Sequence, residues 1–202
     1  MKKIDIFIFR HGETEWNRLH RFQGHTDIPL NENGKSQALV LTKQLAELRP
    51  EVILTSDLIR AVETAQIANL NLNVPTFVSK NLRECHLGEP EGLFRDEVLK
   101  KYGQDSWEIW SSNDPASFEF SFPGGEKKID HLNRMKNHIS EFCFDNPHYS
   151  KIAISTHGGS LRRLVHNCKD SPAQPIKIPN CALYKIQFDM KSLEWYFVGL
   201  VK

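Results

Sequence analysis

The sequence predicts an α/β fold, a three-layer α/β/α sandwich around a mainly parallel central sheet. Short β-branched and aromatic runs alternate with longer segments whose apolar residues recur at helical spacing. Several of the runs end directly in polar, glycine-containing stretches, as strands of an open α/β sheet do where they feed ligand-binding loops.

Ile4 to Phe9 is the first such run, and it flows into Arg10-His11-Gly12-Glu13-Thr14. From Asn31, Ala38, Leu41, Leu45 and Leu48 fall on one helical face before Pro50 stops the helix. Val52 to Ser56 is a second strand, after which Asp57 is expected to cap a helix with Leu58, Ala61, Val62, Ala65 and Ala68 inward. Thr76 to Ser79 adds a short strand. Residues 80–125, with Pro90, Pro115, Pro123 and mixed charges and aromatics, read as an irregular insertion or lid. Glu126 to Phe144 reads as a long helix through Ile129, Leu132, Met135, Ile139 and Phe142. Lys151 to Thr156 is a strand ending in His157-Gly158-Gly159, and a helix is expected over Ser160 to Asn167. Ala182 to Phe188 and Trp195 to Leu200 alternate as two final strands, with a turn near Asp189 to Ser192. The 202 residues are expected to form one domain, 1–202, carrying that insertion.

Composition narrows the function classes. Lys plus Arg number 26 and Asp plus Glu 25, a net charge of +1, so no overall field recruits nucleic acid or an anionic membrane. A hydrophobic fraction of 40% is that of an ordinary globular chain. The amino terminus begins like an export signal, but Asp5 interrupts the apolar run and Arg10 ends it. No stretch approaches the ~18 apolar residues of a membrane-spanning helix, so a cytoplasmic location is expected. Cys85, Cys143, Cys168 and Cys181 have neither zinc-site spacing nor the density of a disulfide scaffold and are expected to be reduced and mostly buried. An exposed edge strand near the carboxyl terminus leaves monomer and homodimer both open.

Three polar clusters fall at predicted strand ends: Arg10 and His11 after the first strand, Arg60 one helical turn beyond the second, and His157 after the late strand. Converged, with Gly12, Gly158 and Gly159 leaving amides open, they make an anion pocket suited to a tetrahedral dianion. A neutral imidazole beside that guest can attack phosphorus, with the arginines offsetting charge on the phosphoryl oxygens. The leaving oxygen needs a proton, and Glu13, Glu84, Glu89 and Glu91 are the carboxylates near enough in sequence to supply it. Taken alone, Arg60 also reads as an i,i+3 partner of Glu63. Phe22, Trp107, Trp110, Phe118, Phe120 and Phe122 are expected to be mostly core. The remaining histidines show no ligand spacing, so neither a metal nor a cofactor is expected.

Arg10-His11-Gly12-Glu13-Thr14 resembles the signature of the histidine phosphatase superfamily, which includes phosphoglycerate mutases and fructose-2,6-bisphosphatases. The likeness continues in order through Asn17, Phe22 to Leu30, Thr55 to Ala65, Pro123-Gly124-Gly125-Glu126 and Thr156 to Gly159. It implies a phosphoglycerate mutase-like fold, a phosphohistidine on His11, and a phosphoryl pocket of Arg10, Arg60 and His157 assisted by Asn17, Gly24 and Gly158. The stretch Leu82-Arg83-Glu84 resembles the segment in which the family keeps its proton donor, which selects Glu84; Pro90 departs from the aromatic residue common at that place.

The expected activity is therefore hydrolysis of a small phosphate monoester, with no nucleic acid or membrane partner. Two alternatives share the pocket: mutase transfer to a bound hydroxyl, and retention of the fold as a phospho-ligand binding module without turnover. A protein phosphatase with an open mouth is a further one. Glu89 and Glu91, if they face the pocket, disfavour a carboxylated substrate.

Overall fold

The computed structural model describes residues 2–201. Strand β1 (Lys3–Arg10) sends Ile4, Ile6 and Ile8 into one layer of core and Phe7 and Phe9 into the other. Burial on both faces is what a central parallel strand requires. The sheet has the order β3-β2-β4-β1-β5-β6, with β2 (Val52–Ser56), β3 (Thr76–Ser79), β4 (Lys151–Thr156), β5 (Leu183–Asp189) and β6 (Glu194–Leu200). The pairs β1/β4, β2/β4 and β2/β3 are parallel, while β5 runs antiparallel to β1, and β6 to β5.

Helices cover both faces. Leu41 and Leu45 of α2 (Glu32–Leu48) and Ala65 and Ala68 of α3 (Ile59–Ala68) pack on Phe7, Phe9 and Ile53, with α1 (Glu15–Arg18) a single turn before them. On the opposite face lie Leu132, Met135 and Ile139 of α5 (Lys128–Asp145) and Leu161, Leu164 and Val165 of α6 (Gly158–His166). The predicted sandwich is therefore present, and the predicted strands sit within a residue or so of their places. No helix among the described residues is long and apolar enough to cross a membrane.

Two local expectations are corrected. Asp57 does not cap α3; the cap position is Leu58, without a side-chain bond, and Asp57 instead takes a two-pronged contact from Arg83 at 2.6 and 2.7 Å. A planar guanidinium fork is the stronger competitor for a carboxylate than one amide. The stretch 80–125 is not irregular throughout, for it contains α4 (Arg95–Ser111), broken at Gly103, where φ is 83°. Only Val98 of that helix is buried, so no apolar stripe announces it.

Candidate active site

The register of the sheet assembles the site. Arg10 pairs with Thr156 across β1 and β4, so His11 and His157, each one residue further on, emerge side by side; their rings meet edge to face with centroids 5.3 Å apart. Strand β2 ends on the other side of β4, and Ser56 there lies 2.9 Å from His157 Nε2. Arg60 enters from the first turn of α3 and is 1% exposed.

His11 Nδ1 sits 2.7 Å from the carbonyl oxygen of Gly12. A carbonyl only accepts, so Nδ1 carries the proton and Nε2 keeps its lone pair. Gly12 is held in turn by its N–H donating to Thr64 Oγ1 at 3.0 Å. Burial, then Arg60, then Arg10 push the His11 imidazole well below the ordinary histidine range, which keeps it neutral and nucleophilic. Burial and Arg60 do the same to His157.

Arg60 donates to the carbonyls of Gly24 at 2.8 Å and Thr26 at 2.9 Å, and burial lowers its pKa to about 10. It does not pair with Glu63, whose carboxylate accepts from Leu30 N–H at 2.8 Å. Gly24 has φ 53°, and a Cβ there would fall 2.0 Å from a Glu91 oxygen, so only glycine lets this loop close on the arginine. Arg10 donates to Ile178 O at 2.8 Å, and its guanidinium lies over Gly158, where a Cβ would approach Nε to 3.3 Å. Among the described residues, three buried side-chain nitrogens lack a hydrogen-bond partner in the protein: Arg10 Nε, Arg60 Nε and His157 Nδ1. All three belong to predicted phosphate-binding side chains, and unpaired buried polar atoms of this kind mark functional sites.

Glu84 accepts from Gly159 N–H at 2.7 Å, Cys85 N–H at 3.0 Å and Ser160 Oγ at 3.2 Å. A Cβ on Gly159 would come within 2.7 Å of that carboxylate, so the second glycine of the His-Gly-Gly motif makes room for Glu84. Asn17 accepts from Thr14 and Asn180 on its Oδ1, leaving its NH2 as the donor to spare. Arg10, His11, Asn17, Gly24, Arg60, Glu84 and Gly158 all line one cavity of about 280 Å³. His157 meets the His11 ring but does not itself line the cavity.

Other expectations are adjusted. Glu89 is bound by Lys101 and Tyr102, and Glu91 accepts from His25, Thr26 and Leu87; neither faces the cavity, so their charge gives no ground against a carboxylated substrate. Glu13 is held by Asn31 Nδ2. Of the aromatics, Phe118 and Phe122 are core, whereas Phe22, Trp107 and Trp110 line the cavity. Cys85, Cys143 and Cys168 are buried, Cys181 is partly so, and all four are free thiols. No group of three or more His, Cys, Asp or Glu among the described residues is placed to hold a metal ion.

The sequence reading missed Arg21, Arg162 and Arg163, which give the cavity five arginines against the single carboxylate of Glu84. The run His157-Gly-Gly-Ser-Leu-Arg-Arg holds a signal for two of them, since residues one turn into a helix stay near its amino-terminal end.

The wall carrying Trp107, Trp110 and Ser111 to Asn113 is seated by Lys128, which is 1% exposed and donates to Ile109 O, Ser112 O and Ser117 Oγ at 2.7–2.8 Å. These acceptors include carbonyls at the end of α4 that the helix cannot satisfy itself. Burial, then Arg163, bring the ammonium pKa down to about 8. Lys128→Met is expected to lower unfolding free energy by about 2–4 kcal/mol, from stranded acceptors. It should also raise KM at least about fivefold through the loosened wall; urea denaturation and steady-state kinetics at pH 7 check both.

The description of the histidine phosphatase superfamily (branch 1) matches residues 6–199 of this chain. A phosphoglycerate mutase-like protein 4 from Arabidopsis thaliana is 33% identical over 181 residues, covering 89% of this chain and 77% of the relative. Among solved structures, a mycobacterial glucosyl-3-phosphoglycerate phosphatase superposes with TM-score 0.84 at 22% identity, over 99% of both chains. The protein YhfR of Bacillus stearothermophilus does so with TM-score 0.83 at 28% identity, over 97% of this chain and 96% of its own.

Proposed function

Because the chain belongs to the histidine phosphatase superfamily (branch 1), we propose that it is a metal-independent phosphatase that hydrolyses a small phosphate monoester through a phosphohistidine on His11. The observation that carries this reading is the His11 ring itself. Its Nδ1–H is committed to Gly12 O, and its Nε2 lone pair belongs to a neutral imidazole among Arg10, Arg60 and His157.

In the first step the Nε2 lone pair attacks phosphorus as the ester P–O bond breaks, and protonated Glu84 gives its proton to the leaving oxygen. Arg10, Arg60 and Asn17 hold the phosphoryl oxygens, so negative charge is met by donors already in place, and His157 packs against the His11 ring. In the second step the Glu84 carboxylate takes a proton from water as its oxygen attacks phosphorus; the N–P bond breaks, returning neutral His11 and inorganic phosphate. The four free thiols fit the reducing setting of cytoplasm.

Mutase transfer is the second reading, favoured by one observation. Arg21, Arg162 and Arg163 exceed what one phosphoryl group requires, and they suit an acceptor with a second anionic group. Both readings make the same intermediate, and its fate separates them. Incubation with a panel of labelled monoesters in EDTA, quenched in alkali, is expected to trap acid-labile phosphate on His11 and to release inorganic phosphate without any acceptor. Label moving only to a second hydroxyl would establish the mutase, and no covalent label would leave a binding module.

A further inference from the structure

His131, on α5, is fully buried and outside the cavity, yet it makes three hydrogen bonds close to Glu84. Its Nδ1 receives Nη1 of Arg163, and a guanidinium only donates, so Nδ1 carries no proton. Its Nε2 lies 3.2 Å from the carbonyl oxygen of Arg83, which only accepts, so Nε2 carries one. Two neighbours of opposite character thus fix the same tautomer. Burial and the nearby Arg163 and Arg134 hold the ring neutral, so its 4.0 Å separation from Glu84 is not an ion pair.

The same Nε2–H reaches Ser160 Oγ at 2.9 Å. Ser160, accepting there, has its own hydrogen to give, either to Glu84 Oε1 at 3.2 Å or to Arg83 O at 3.3 Å. Arg83 O already accepts from His131 and from Arg134 Nη1 at 3.1 Å, so the hydroxyl turns to Glu84. The bonds run in one direction: Arg163 to His131 to Ser160 to Glu84. At its origin the Arg163 guanidinium lies over the Trp110 ring, 5.3 Å from its centroid, in the cavity wall.

We propose that His131 and Ser160 are positioning residues for proton transfer: their directed hydrogen bonds hold Glu84 Oε1 so that the rest of the carboxyl group faces the leaving oxygen. The proposal rests on Glu84 being the proton donor. It assigns His131 no contact with substrate, and it ties the orientation of the acid to the arginine beneath the aromatic wall.

Leaving-group dependence tests it, because an acid matters only where the leaving oxygen needs its proton. First-turnover cleavage is measured with an alkyl phosphate and with 2,4-dinitrophenyl phosphate, whose phenolate departs unprotonated. Ser160→Ala is expected to slow the alkyl ester about tenfold while changing dinitrophenolate release less than about twofold. KM should be little changed for both. His131→Leu should behave like Ser160→Ala, and His131→Gln, which keeps a nitrogen donor near the Nε2 position, should recover most of the rate. Equal losses with both esters would mean a merely structural role, and no loss with either would mean no role; each overturns the proposal. Glu84→Gln is run beside them: if it lacks leaving-group dependence, the acid itself is misassigned, whereas dependence there but not in Ser160→Ala condemns only the positioning chain.

Discussion

Alanine at position 11 will lower kcat/KM for every monoester the protein cleaves by about 10⁴-fold or more, since removing a covalent nucleophile leaves only electrostatic and binding contributions. No other side chain can take over the attack. His157 stands beside His11, but its Nε2 is engaged with Ser56 and it does not line the cavity. The variant should still fold, because His11 reaches out only to Gly12 O and its loss relieves a buried imidazole of two neighbouring arginines. It should also still bind inorganic phosphate within about tenfold of the native affinity, the arginine forks being intact. Calorimetric titration with phosphate, stopped-time phosphate release and the alkali-stable label together check this. Turnover above about 1% of native would place the nucleophile elsewhere.

How legible the molecule was varies with what sets each part. Apolar periodicity is imposed by the layers themselves, so β1, β2 and α2 could be placed from their apolar residues. The ends of those strands carry the chemistry, which is why Arg10, His11 and His157 stood out before any contact was known. What stayed hidden is polar and buried. Lys128, His131 and Arg163 occupy inward positions on α5 and α6 that a hydrophobic pattern assigns to solvent, and each is there because a carbonyl, hydroxyl or ring nitrogen meets it. Asp57 shows the same limit from the other side: a good capping residue was claimed by Arg83, 26 positions away, and no local rule sees such a competitor. The roles of Glu89 and Glu91 turned on direction, which spacing does not carry; both carboxylates are consumed by neighbours that brace the loops around the site.

Acidification should destabilise the fold well before the carboxylates titrate. His11, His131 and His157 are buried and neutral, each held well below the ordinary histidine range, first by burial and then by arginines. In the unfolded chain the same rings protonate near pH ~6.5. Below that pH the unfolded state binds protons that the folded state refuses, so stability falls as pH falls, and the loss continues down to the folded-state values. Each such group contributes a slope of about 1.4 kcal/mol per pH unit, and the three together about 4 kcal/mol per pH unit through the upper part of that window. His25, His138 and His166, whose values burial also lowers, add to it with the same sign. Carboxylates such as Glu51 and Asp57 are lowered too, but their contribution is lost only below pH ~4.5. Urea unfolding at pH 7.5, 6.5 and 5.5 should therefore show a flat upper limb and a steep loss below the histidine range. In His11→Ala the loss should be shallower by roughly a third of the three-residue slope, because one of the three protons has been removed from the balance. Stability unchanged between pH 7 and 5.5 would mean that the buried rings take up protons in the folded state as readily as in the unfolded chain, and that the site does not hold His11 neutral below the ordinary histidine range.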